Sequence, residues 1–367
     1  MKRWPVKPLG ELVTLEYGKA LRAEQRSESG RFPVYGSNGI VGSHSEAVVR
    51  EPTIVVGRKG AIGEAHLAEK GCWPIDTAFY TQFRQRGVVS LRYLLLWFRI
   101  VDLKSLAITA TIPGLNRNTL YAQQVPVPPL REQERIVKLL DEADELRKLR
   151  AQADSRTATL IPALFHAMFG DPIKNARRWP HCSFADAGKL DRGRSKNRPR
   201  DEPSLYGGKH PFIQTGDVAN SDGQIITYTQ TYSEQGLAQS RMWPAGTLVI
   251  TIAANIGKTA ILTFPACFPD SMVGFIPGER VLVDFVRQWL VTMESRLEEA
   301  APQMAQKNIN LRILSQLTIP VPPLPLQKEF AQQVAAIREL EIAQATSRQR
   351  LEALFQSMLH RAFNGEL

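Results

Sequence analysis

The chain has 367 residues, 43% of them hydrophobic and 22% charged, a length and balance that fit about two to four folded domains and exclude wholesale disorder. No run approaches the roughly 18 consecutive apolar residues of a membrane span, and Met1-Lys2-Arg3-Trp4-Pro5 lacks the apolar core of a secretory leader, so a cytoplasmic, non-membrane protein is expected. The net charge of +10 points to a polyanionic partner, nucleic acid first, because neutralised phosphates release condensed counterions, and three lone cysteines (Cys72, Cys182, Cys267) exclude a disulfide framework or a CxxC zinc site.

Residues 1–112 form a series of short apolar, β-branched runs punctuated by glycine, Thr53-Ile54-Val55-Val56-Gly57 among them, and predict a compact, mostly β domain. Two glycine-bounded turns stand out, Tyr35-Gly36-Ser37-Asn38-Gly39 and Gly57-Arg58-Lys59-Gly60-Ala61-Ile62-Gly63. Glycine lets backbone approach a phosphate, arginine can read guanine bidentately and asparagine can read adenine. Ser37, Asn38, Arg58 and Lys59 are therefore candidate DNA contacts. Residues 113–170 begin a second region, in which the prolines of Val125-Pro126-Val127-Pro128-Pro129-Leu130 forbid helix before them and deliver the chain into one. That helix carries apolar residues three and four apart, Ile136, Leu139, Ala143, Leu146 and Leu149 leading, a narrow stripe suited to helix pairing, with a kink expected near Pro162.

Residues 171–306 repeat the β pattern, with Thr247-Leu248-Val249-Ile250-Thr251-Ile252 in the place of the first apolar run. Gln214-Thr215-Gly216-Asp217 and Asn255-Ile256-Gly257-Lys258-Thr259 occupy the corresponding turns, which makes Thr215, Asn255 and Lys258 candidate DNA contacts. The window 174–200 holds nine Lys or Arg against two Asp, and Arg194 and Lys196 within it are candidates for a phosphate-tracking arm. Residues 307–367 supply a second Pro-rich lead-in and a second helix, whose stripe includes Phe330, Val334, Ile337, Leu340 and Leu351.

The halves are copies of one unit. A shift of 194 residues lays Asn116 on Asn310, Val125-Pro126-Val127-Pro128-Pro129-Leu130 on Ile319-Pro320-Val321-Pro322-Pro323-Leu324, Gln133 on Gln327 and Phe169 on Phe363. Nearer the start the shift falls to 175, matching Trp4-Pro5 with Trp179-Pro180 and Gly18 with Gly193, so copy two carries about nineteen extra residues between these anchors. The fold expected is α+β: two mostly β domains separated by two long antiparallel helices in a coiled coil, with a pseudo-two-fold internal repeat.

This order, with Ile112-Pro113-Gly114-Leu115-Asn116 leading to the first Pro-Val-Pro-Pro-Leu and Gln306-Lys307-Asn308-Ile309-Asn310 to the second, resembles the specificity subunit of Type I restriction-modification systems. The closing Ala362-Phe363-Asn364-Gly365-Glu366-Leu367 is similar to that family's ending, while Leu326 and Lys328 depart from their counterparts Glu132 and Glu134. The resemblance implies two target-recognition domains, each reading half of a bipartite sequence in double-stranded DNA. It also implies helices that serve as a spacer and dock two methyltransferase subunits, and through them restriction subunits. S-adenosylmethionine, ATP and Mg are then expected only in the partner subunits, with no cofactor in this chain. The rival reading is a stand-alone bipartite DNA-binding or architectural protein without enzyme partners, which genome neighbourhood would distinguish.

A catalyst is not expected. Gly257-Lys258-Thr259 imitates the end of a P-loop, but Ile252 stands where the first glycine is required and β-like residues follow. No Asn-Pro-Pro-aromatic or Asp-Pro-Pro-aromatic tetrapeptide of amino-methyltransferases occurs, and the six histidines show no metal-ligand spacing.

Overall fold

The computed structural model describes residues 4–108, 114–172, 174–197, 199–253, 255–300 and 310–367. Ile112-Pro113, Arg198, the stretch Gln306-Lys307-Asn308-Ile309 and the expected boundaries at 112/113 and 306/307 lie outside the described residues. The chain forms two compact units, Met1–Gln152 with Ala345–Leu367, and Ala153–Gln344.

In the first unit an antiparallel sheet of four strands runs in the order Val13–Tyr17, Ala78–Phe83, Thr53–Gly57, Ala65–Ala68. Its second sheet sets Phe32–Gly36 between Gly39–His44, antiparallel, and Trp73–Pro74, parallel. Every residue of Thr53–Gly57 is buried, as a central strand covered on both faces requires. The helix Leu91–Ile100, capped by Ser90, lays Tyr93, Leu94 and Trp97 into the core. The second unit has a five-stranded sheet in the order Gly188–Arg192, Met272–Pro277, Leu248–Thr251, Thr259–Leu262, Gln224–Ile225. A four-stranded sheet built around Tyr206–Phe212 and Ala266–Cys267 accompanies it, and the helix Val283–Ala300 takes the place of Leu91–Ile100.

The repeated motifs have structural causes. Asn116 and Asn310 each cap a short helix, their side chains accepting from the Asn118 and Ile313 amides. Val6–Pro8 pairs antiparallel with Gln124–Pro126, and His181–Ser183 with Thr318–Pro320, so each Pro-rich lead-in is tied to the start of its own copy. The Val127 amide donates to the Pro5 carbonyl and the Val321 amide to that of Pro180, both at 2.7 Å. Each tryptophan of the repeated Trp-Pro closes a helix end: Trp4 Nε1 donates to Ala362 O at 3.4 Å, and Trp179 Nε1 to Phe169 O at 3.0 Å.

The first long helix covers Leu130–Thr157, breaks at Ala158-Thr159, and resumes as Leu160–Phe169 with Pro162 in its first turn. The second runs unbroken from Leu324 to Asn364. Within each unit two helical segments pack antiparallel. In the first, Ile136, Leu140 and Ala143 share a core with Phe355, Leu359, Ala362 and Phe363, and Phe363 stacks on Tyr93 with ring centroids 4.8 Å apart. In the second, Phe165 and Phe169 meet Phe330 and Phe285 at centroid distances of 4.9 to 5.6 Å.

The buried stripe differs from the expected one. Gln133, Ile136, Leu140 and Ala143 are buried, then Arg147, Arg150 and Asp154 half-buried, then Thr157 buried again, a strict alternation of three and four. Among the expected pairing residues Ile136, Ala143, Phe330 and Val334 lie inside, with Ile337 and Leu351 half-buried. Leu139 yields its place to Leu140, while Leu146, Leu149 and Leu340 are 53%, 51% and 45% exposed and do not pair. The reason is that polar side chains follow the apolar ones along this face of the helix, so a search for apolar residues drifts onto the neighbouring leucines. Arg147 lies over the Phe355 ring at 4.3 Å and bridges Asp144 and Glu352 at 3.0 and 2.6 Å. Gln344 Nε2 donates to the Thr157 hydroxyl at 2.9 Å.

Candidate nucleic-acid interface

In the first unit the two glycine-bounded turns come together. Ser37 and Asn38 form the two-residue turn between strands Phe32–Gly36 and Gly39–His44. The 57–63 loop folds against it so closely that a Cβ on Gly57 would stand 2.6 Å from the Ser37 carbonyl, and one on Gly60 would stand 3.4 Å from its hydroxyl. The 57–63 loop is held by backbone bonds: the Arg58 and Lys59 amides donate to Thr77 O, and the Gly63 amide donates to Gly57 O. Asn38 and Lys59 are exposed, with Ser37 and Arg58 half-buried beside them.

Arg58 is oriented by its neighbours. Its guanidinium lies over the Tyr17 ring at 5.0 Å and the Phe79 ring at 5.7 Å, and donates to Asp76 O at 3.0 Å. Arg117 approaches the same Tyr17 ring at 5.3 Å. Two cations and a half-exposed tyrosine thus flank the paired turns, a combination suited to phosphates and base faces. Tyr17 and Arg117 escape the sequence reading because they belong to different strands and helices, and nothing in their local sequence marks them.

The second unit divides its candidates between two places. Thr215 lines a hollow of about 550 Å³ with Ser195, Arg200, Tyr206, Gln214 and Gln230. Gln214 and Gln230 are joined amide to amide at 2.5 Å, and each exposes a polar edge of the kind that reads bases. The basic run borders the same hollow. Arg192 and Arg200 converge on Asp270, whose carbonyl accepts from Arg192 Nη2 at 2.6 Å and whose carboxylate pairs with Arg200 at 2.7 Å. Arg194 and Lys196 are exposed on either side of Ser195.

Asn255 and Lys258 are placed elsewhere, on the loop between strands Leu248–Thr251 and Thr259–Leu262. Asn255 takes a left-handed conformation, φ +50°, and its carbonyl accepts from the Thr251 hydroxyl. Lys258 Nζ pairs with Glu294 Oε1 at 2.5 Å, a carboxylate supplied by the helix Val283–Ala300. The Lys258 side chain, 43% exposed, is thus shared with an internal carboxylate, unlike the exposed Lys59. Strand Thr259–Leu262 directly follows the glycine-lysine-threonine, where a phosphate-binding loop would require a helix.

Among the described residues no group of three or more His, Cys, Asp or Glu is placed to hold a metal ion, and no helix is long and apolar enough to cross a membrane.

A profile described as Type I restriction modification DNA specificity domain matches the chain twice, over residues 1–154 and 182–353. The EcoDI specificity subunit of Escherichia coli is 23% identical to this chain over 99% of its length and 88% of the relative's, and the EcoBI specificity subunit of the same species is 24% identical over 71% and 61%. The S subunit of a Type I restriction-modification system from M. genitalium shares the fold with a TM-score of 0.62 at 16% identity, over 98% of this chain and 96% of that one. A chain solved to explain complex assembly and conformational transition of the type I R-M system gives 0.67 at 20% identity, over 100% and 99%. The double match spans most of the sequence, each copy carrying one sheet-rich domain and most of one long helix, and the chain belongs to the Type I restriction-modification specificity family.

Proposed function

We propose that the chain is the non-catalytic DNA-recognition subunit of a Type I restriction-modification complex, in which each sheet-rich domain reads one half of a bipartite target. The observation that carries this reading is the duplication, alike at the helix lead-ins and unlike at the loops. Alike lead-ins support two equivalent partners, and unlike loops support two different half-sites. The half-site surfaces are the Ser37–Asn38 and Arg58–Lys59 turns with Tyr17 and Arg117 in copy one, and the hollow at Thr215 with Arg194 and Lys196 in copy two.

Two methyltransferase subunits dock on the long helices, and restriction subunits join through them. Exposed leucines occur at matched positions of the two copies, Leu146 with Leu340 and Leu160 with Leu354, between 41% and 53% exposed. Such a repeated apolar pattern beside the seam suits one partner taken up twice. S-adenosylmethionine, ATP and Mg serve the partners in this reading. The purified chain, given S-adenosylmethionine and DNA, is expected to methylate nothing until a methyltransferase subunit is added. Methylation by the chain alone would contradict the assignment.

A further inference from the structure

Two wholly buried polar residues among those described have no part in the proposed DNA surface. Gln133 and Gln327, one in the first turn of each long helix and 194 positions apart, are both wholly buried. Gln133 Oε1 accepts from the Ser90 amide at 2.8 Å, while Nε2 donates to Val88 O at 3.0 Å and Pro128 O at 2.8 Å. Gln327 Oε1 accepts from the Leu282 amide at 2.8 Å, while Nε2 donates to Arg280 O at 3.0 Å and Pro322 O at 2.7 Å.

Each amide therefore ties together three segments: its own helix, the Pro-Pro turn before it, and the chain that leads into the helix packed on the sheet, Leu91–Ile100 in one copy and Val283–Ala300 in the other. The distances agree between copies to 0.1 Å although the surrounding domains differ in sequence and by about nineteen residues. Apolar packing alone permits a helix to slide or roll against its neighbours, whereas three directional bonds to backbone atoms allow one attitude. No apolar residue could replace the amide without stranding buried backbone groups on the sheet domain's own connection.

We infer that Gln133 and Gln327 are positioning residues that lock each recognition domain to its helix, and that this lock restricts the complex to one gap length between the two half-sites. The inference rests on the function proposed above. Methionine matches glutamine in length and is apolar, so Gln133→Met and Gln327→Met keep the packing while removing the bonds.

The test uses the full chain, single and double variants, in complex with its methyltransferase subunits. Substrates carry the natural target and versions with the gap changed by one or two base pairs. Wild type should methylate the natural gap and reject the others; the double variant should still methylate the natural gap, with its preference over neighbouring gaps reduced by about tenfold or more. Hydrogen exchange on the chain without partners should show the Ser90 and Leu282 amides losing protection while strands Thr53–Gly57 and Leu248–Thr251 keep theirs. An unchanged gap preference, or methylation falling in equal proportion at every gap, would overturn the positioning role. A wild-type complex that methylates no two-part target would instead overturn the functional reading, with the exchange result left to stand by itself.

Discussion

Gly57 has no room for a methyl group. A Cβ there would lie 2.1 Å from Ala61 O and 2.6 Å from Ser37 O, both backbone atoms that cannot swing aside. Gly57→Ala is expected to part the two turns, cost about 1–3 kcal/mol of stability, and weaken DNA binding; a thermal melt and a binding isotherm check it, and wild-type values in both would contradict the paired-turn interface. Among the candidate cations, Lys59, Arg194 and Lys196 are exposed while Lys258 is paired with Glu294. Alanine at any of the first three should weaken binding and flatten its salt dependence by roughly one counterion, whereas Lys258→Ala should change the salt slope little. The sequence displays Lys258 as a cation on a glycine-bounded turn, but its partner lies on a distant helix that only the fold brings near. The same limit hid Tyr17 and Arg117. Burial pushes the Cys72 thiol up to about 12 and raises Cys267 as well. Neither should react with a thiol-alkylating reagent at neutral pH until the chain is unfolded, because the thiolate is the reactive form.

At the scale of the element, the paired helices expose how far periodicity can be read. The spacing of three and four was visible, and so was the break near Pro162, because helix period and proline stereochemistry are local properties. The stripe itself was displaced by one residue along part of its length. Arg147, Arg150, Asp154 and Thr157 continue the inward face, and their burial depends on partners such as Glu352, Phe355 and Gln344 contributed by the other long helix. Two substitutions separate the seam from its flank. Leu140→Asp places a charge at a residue 1% exposed and should destabilise the fold by about 3–5 kcal/mol. Leu146→Asp, at a half-exposed position, should leave the melting transition within about 0.5 kcal/mol of wild type while weakening capture of the methyltransferase subunit. Equal destabilisation by both would return Leu146 to the seam.

For the whole molecule, duplication is the organising fact, and it was legible because the strings repeated in the two copies answer to specific bonds. Trp-Pro closes a helix end and pairs with the Pro-rich lead-in, asparagine caps the short helix before it, and glutamine anchors the long helix after it, twice over. The copies differ most in their loops and sheets, where sequence alone names residue types without saying which share a surface. The reading as a specificity subunit stands or falls on the form of the target. Sequencing of methylated bases in DNA treated with the chain, its methyltransferase subunits and S-adenosylmethionine should reveal one asymmetric motif made of two different half-sites at a fixed gap; a single uninterrupted motif, or two identical half-sites, would contradict it.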